Sequence, residues 1–102
     1  MSLAMACSLA CGASQRPAAA PDFRTLQVHE ARVSELGARA QDGTLGCSER
    51  QGAAERCGAE VAQARADAEG VRDADLEARL DRLVQHCAAA AGTVHAQCAD
   101  AQ

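Results

Sequence analysis

The stretches CSERQGAAERC at residues 47–57 and CAAAAGTVHAQC at residues 87–98 decide the fold. Each is free of proline and closed at both ends by cysteine. If the chain between them folds back as two antiparallel helices, residues that face one another have position numbers with a constant sum. Cys57 and Cys87 sum to 144 and Cys47 and Cys98 to 145, whereas the crossed pairing gives 134 and 155, which no single hairpin satisfies. The spacing predicts a helical hairpin with its turn near residue 72, stapled by Cys57–Cys87 inside Cys47–Cys98.

The residues between the cysteines support this register. From about 46 to 69 the stripe is Cys47, Ala54, Cys57, Val61, Ala64 and Ala68, a heptad-like seam of small side chains. Small seams let helices approach closely, as a helix-to-helix disulfide with Cα atoms about 5.5–6 Å apart requires. Ser48-x-x-Gln51 suggests a capping box at the start of this helix, and Gly70 its stop. A further helix over about 73–100 begins at Asp73 or Asp75, with acidic residues in its first turn. It carries Leu76, Leu80, Leu83, Cys87, Ala90, Ala91, Val94 and Cys98 on one face. Gly92-Thr93 is its weak point and a place where it can bend.

Upstream, Phe23, Leu26, Val33, Leu36 and Ala40 mark a helix over about 22–41, with His29 at the margin of the stripe. Pro21 and Asp42-Gly43 are its start and stop signals. Antiparallel pairing about Asp42-Gly43 brings Phe23 level with Ala64, Leu26 with Val61 and Val33 with Ala54. The expected architecture is all-α, an up-down-up three-helix bundle spanning 22–102 behind a tether of residues 1–21.

Composition says what such a bundle needs. Leu, Ile, Val and Phe make up about 15% of the 102 residues, and beyond Gln15 the large apolar side chains are six Leu, six Val and Phe23. Without crosslinks that level points towards disorder. Burying a Leu or Val contributes roughly 1.5–3 kcal/mol, against about 1.5 kcal/mol of ordering cost for every residue. Two disulfides, typically about 2–4 kcal/mol each, supplement the core and call for an oxidising compartment. Ten Arg against fourteen acids, no basic cluster and a single aromatic argue against nucleic-acid binding. The absence of Lys, Asn, Ile and Tyr reads as the codon usage of a GC-rich genome, so Arg in place of Lys carries no functional message.

Four Cys and three His invite a metal site. Cys47 and Cys57, ten residues apart, stand about 15 Å apart along one helix, too far for one zinc held by all four thiolates. The alternative ligand set is His95-x-x-Cys98 on one helical face with Cys47 opposite. His86 beside Cys87 points about 100° away from it and makes a poor partner for Cys57. There is no Cys-x-x-Cys pair for thiol redox catalysis. No Gly-rich elbow presents a nucleophile beside His29, His86 or His95, so no catalytic residues and no cofactor are expected. His29 is expected to be a partly buried structural residue, and His86 a solvated one.

At the N-terminus, SLAMACSLAC at 2–11 runs into Cys11-Gly12 and a polar, Pro-bearing stretch. It resembles the end of a bacterial lipoprotein signal peptide, in which the cysteine after a short apolar segment is acylated. Here Ser8 stands three places before Cys11, where that family has Leu, and Cys7 is the alternative processing site. Removing Cys7 and acylating Cys11 leaves an even four cysteines for pairing. Residues 47–98 also resemble, in spacing only, the twin Cys-x9-Cys helical hairpin proteins, whose outer and inner cysteines pair respectively. The second spacing here is ten rather than nine, and 29 residues separate the motifs. The chain as a whole is similar to small Cys-bearing helical lipoproteins of GC-rich bacteria. These resemblances imply a non-enzymatic structural or protein-interaction module in the bacterial envelope, on the periplasmic side of a membrane. It would be held there by a lipid on Cys11 or secreted, with a protein partner or a second copy as its contact. The alternative function is a Cys/His metal-binding or metal-buffering protein.

Overall fold

The structure, a computed structural model, describes residues 23–99. Three helices follow one another, α1 over Phe23–Ala40, α2 over Cys47–Asp67 and α3 over Ala74–Cys98, and each packs on both others. The chain is the expected all-α, up-down-up bundle. Two disulfides join α2 to α3, Cys57–Cys87 with Cα atoms 5.6 Å apart and Cys47–Cys98 at 5.7 Å. The expected tether, with Cys7 and Cys11, lies outside the described residues.

Each helix end has a local cause. Asp73 is the N-cap of α3, its side chain accepting from the Leu76 N–H at 3.0 Å, with Asp75 and Glu77 in the first turn. The choice between Asp73 and Asp75 is thereby settled. α2 starts differently from expectation. Its N-cap is Gly46, with no side-chain cap bond, so Ser48 and Gln51 do not form a capping box. It ends at Asp67, slightly before the expected Glu69, and Gly70 adopts φ 84°, where a side chain would be strained. Between α1 and α2 the Asp42 carboxylate accepts from the Thr44 N–H at 2.9 Å and the Thr44 hydroxyl at 2.7 Å, turning the chain.

The core forms two layers. Leu26, Val33, Cys57, Val61, Leu76, Leu83 and Cys87 lie in one, beneath half-buried Phe23 and Leu80. Ala40, Ala53, Ala90, Val94 and Cys98 form the other, and Leu36 packs against both. Each layer holds one disulfide. The register of α1 differs from the sequence expectation: Val33 shares a layer with Cys57, its carbonyl 3.9 Å from Cys57 Sγ, whereas Ala54 belongs to the other layer. The buried face of α1 is Leu26, His29, Val33, Gly37 and Ala40. His29 is therefore in the stripe rather than at its margin, and Gly37 replaces half-buried Leu36 as its fourth member. A Cβ at Gly37 would clash with the His86 ring at Nε2. His86 is exposed yet docks its ring over this gap.

α3 runs unbroken through Gly92, where a Cβ would meet nothing within 4 Å. A glycine inside a helix costs about 1 kcal/mol relative to Ala. Gly92→Ala should raise the melting temperature by about 4–8 °C for a domain of this size. A thermal melt showing a lower midpoint would mean that α3 needs the freedom of this glycine.

Candidate functional site

Three polar pins hold α1, the one described helix with no disulfide to another, against the stapled hairpin. The first is His29, 5% exposed. Glu60 and Asp67 are a heptad apart on α2 and reach it from opposite sides: Nδ1–H donates to Glu60 Oε2, and Nε2–H donates to Asp67 Oδ2 at 2.7 Å. Both nitrogens can donate only in the imidazolium form. Burial pulls its pKa down, but the hydrogen bonds and charges of the two carboxylates outweigh burial and hold it above the ordinary 6.5. Arg32 Nη1, 3.5 Å from Glu60 Oε2, supplies the second positive charge that two carboxylates require. Asp67 is held below its ordinary value by the His29 hydrogen bond first and by Gln63 second.

The second pin joins α1 to α3. Arg79 forks onto Glu30, Nε–H donating to Oε2 at 2.9 Å and Nη2–H to Oε1, and its guanidinium lies 4.8 Å from the centre of the Phe23 ring. The Arg79 hydrogen bonds hold the Glu30 carboxyl below its usual range, against the opposing effect of burial.

The third pin is Arg50, 4% exposed, at the far end of the bundle. Its Nε–H donates to the Ala40 carbonyl at 2.8 Å, one of the terminal carbonyls that α1 cannot pair internally. Its Nη2–H donates to Gln97 Oε1 at 2.5 Å, and Nη1 stands 3.9 Å from Cys98 Sγ. One guanidinium thus touches all three helices. Sequence reasoning missed it because a seam read from apolar residues passes over Arg. Position 50 nevertheless lies one heptad before Cys57, and that spacing is the signal that it shares the buried face.

Cys57 is joined to Cys87 and Cys47 to Cys98, as the spacing predicts. The alternative metal set therefore loses two of its three ligands: Cys47 and Cys98 are bonded to each other, and His95 stands exposed on α3. Among the described residues no group of three or more His, Cys, Asp or Glu is arranged to hold a metal ion. An open groove of about 420 Å³ lies beside His29, between Leu26, Ala64, Asp67, Ala68 and Leu76. Both nitrogens of His29 are engaged with carboxylates, so the ring has no free lone pair to offer a molecule in that groove. Among the described residues no helix is long and apolar enough to cross a membrane. The two disulfides belong to a non-reducing, extracytoplasmic environment. No family model, curated protein or solved structure matches the chain.

The pins set a pH dependence. His29 has a raised folded pKa, so its stabilisation is complete below 6.5 and fades as pH rises through the folded value. Asp67 and Glu30 have depressed folded values, so theirs is complete above the ordinary 3.8 and 4.5 and fades on acidification. Thermal stability should therefore peak between those limits and decline on both sides. His29→Gln should flatten the alkaline limb and also shrink the part of the acid limb that Asp67 supplies, leaving the part due to Glu30 and Arg79. An unchanged melting temperature from mildly acidic to mildly alkaline pH would refute the imidazolium assignment.

Proposed function

We propose that the chain is a non-enzymatic, lipid-anchored module of the bacterial cell envelope, acting as a structural or protein-interaction element on the periplasmic side of a membrane. Cysteine parity carries this reading. The four bundle cysteines satisfy one another, so Cys11, at the end of its apolar stretch, is left for acylation once the segment bearing Cys7 is removed. A bundle whose large apolar residues are few and whose hairpin is covalently closed suits a small module exposed outside the cytoplasm.

Intact-mass measurement on protein from its native host, with and without reductant, tests the proposal. The expected species begins at Cys11, carries the mass of a lipid, and gains about 4 Da on reduction, as two disulfides require. Cys11→Ser should move the protein from the detergent phase to the aqueous phase. An unlipidated species that stays aqueous would overturn the anchor. Four free thiols with stoichiometric zinc or copper would overturn the whole reading in favour of the metal-binding alternative.

A further inference from the structure

We propose that the Cys47–Cys98 disulfide is a thiol–disulfide exchange site, opened by a dithiol that attacks Cys47 Sγ and expels Cys98 as a thiolate beside the Arg50 guanidinium. The two staples have the same connectivity but opposite surroundings. Cys57 and Cys98 are fully buried and Cys87 nearly so, whereas Cys47 is half-buried at the edge of its layer. Cys47 is thus the least buried of the four cysteines, and it belongs to the outer pair.

The electrostatics favour the same bond. Arg50 is a buried cation whose close acceptors, the Ala40 carbonyl and Gln97 Oε1, are both neutral. Among the described residues it has no carboxylate within ion-pair distance, and its Nη1 faces Cys98 Sγ at 3.9 Å. A thiolate formed at Cys98 would give that cation an anionic partner in an environment of low dielectric, where attraction is stronger than in water. Cys47 is the first residue of α2, and Gly46 before it supplies no side-chain cap, so the free N–H groups of the helix end favour negative charge on this sulfur as well. The inner pair has no such help. Cys57 Sγ sits mid-helix, 3.9 Å from the carbonyl oxygen of Val33, whose negative end opposes a thiolate. A disulfide whose reduced form is stabilised is the more oxidising of two.

The reaction balances with a dithiol as reductant. One thiolate of the dithiol bonds to Cys47 Sγ as the Cys47–Cys98 bond breaks, and the electron pair leaves on Cys98 Sγ. The second thiol, losing its proton to solvent, attacks the sulfur joined to Cys47 and releases Cys47, which takes up a proton. The dithiol ends as a disulfide, and the protein holds a reduced outer pair. The Cys57–Cys87 bond stays intact, so the hairpin survives the cycle.

The test uses the full oxidised chain, dithiothreitol as the dithiol at neutral pH, an iodoacetamide quench and peptide mapping. Cys47 and Cys98 should become alkylatable on the order of tenfold faster than Cys57 and Cys87. Glutathione, as a monothiol, should leave its adduct on Cys47. Arg50→Gln should slow opening of the outer pair by on the order of tenfold, with Arg50→Lys restoring most of the rate. Arg50 also fastens the end of the bundle, so Arg50→Gln loosens the outer pair while it removes the cation; a net slowing shows that the cation acts on the bond beyond fastening, and fastening alone would give a net acceleration. Faster or simultaneous reduction of the inner pair, an adduct on Cys98, or acceleration by Arg50→Gln would each overturn the proposal. Should Arg50→Gln not fold, the order of reduction and the position of the adduct in the unaltered protein decide it.

Discussion

Full reduction of the protein should abolish cooperative folding. The inner disulfide spans 30 residues of sequence, and the chain-entropy relation assigns its loop roughly 3.5 kcal/mol. With that loop closed, the outer disulfide closes only the two flanking helical arms, and the same relation gives roughly 3.5 kcal/mol again. Together they contribute about 7 kcal/mol, comparable with the whole stability of a small domain. The apolar core offers little reserve: the Cys47–Cys98 layer is otherwise alanine and one valine, Val94, with Leu36 at its edge. Excess reductant should remove the sigmoidal urea transition seen by far-ultraviolet circular dichroism and leave a gradual loss of helix. The double variant Cys57→Ala/Cys87→Ala should fall between the two states. A reduced protein that unfolds at the same urea concentration as the oxidised one would show that packing alone suffices.

Arg50→Ala should be the most damaging single substitution outside the cysteines, costing about 2–4 kcal/mol with both disulfides intact. The buried Ala40 carbonyl loses its charged donor, which is worth about 1.5–3 kcal/mol, and the vacated space adds a cavity cost. A buried cation is expensive to desolvate, so the wild-type arrangement need not be more stable than a well-packed apolar one. Truncation is different, because it leaves the acceptors behind. Arg50→Met, which refills much of the volume, should cost less than Arg50→Ala while still leaving the carbonyl unpaired. Urea titration of the three proteins orders them. A loss below about 0.5 kcal/mol for Arg50→Ala would place the residue among ordinary surface positions.

What could be read from the sequence follows from which forces leave a periodic trace. The hairpin register was legible because disulfide geometry is strict: only one pairing keeps both Cys57–Cys87 and Cys47–Cys98 at one level. Caps are local chemistry, so the stop near Gly70 and a start at Asp73 or Asp75 were legible, but the choice of Asp73 and the uncapped start of α2 at Gly46 needed the structure. The α1 register was not, since nothing covalent fixes it. It is set by His29 reaching two carboxylates, by Arg50 reaching the end of α1, and by Gly37 making room for His86. Each of those residues is polar or has no side chain, so a stripe drawn through apolar residues skips it. Heptad spacing held the missing information: Arg50 precedes Cys57 by seven, and Glu60 precedes Asp67 by seven. The proposed lipid anchor is read from Ser2 to Cys11, which lie outside the described residues.

Four cysteines close one antiparallel hairpin twice, in nested order. Proteolysis under non-reducing conditions, followed by mass spectrometry of the linked peptides, tests it most directly. The nested staples should give one fragment joining Cys57 to Cys87 and another joining Cys47 to Cys98. A fragment joining Cys47 to Cys57 would contradict it, because residues ten apart on one helix stand about 15 Å from each other. The crossed pairing of Cys47 with Cys87 would contradict it equally.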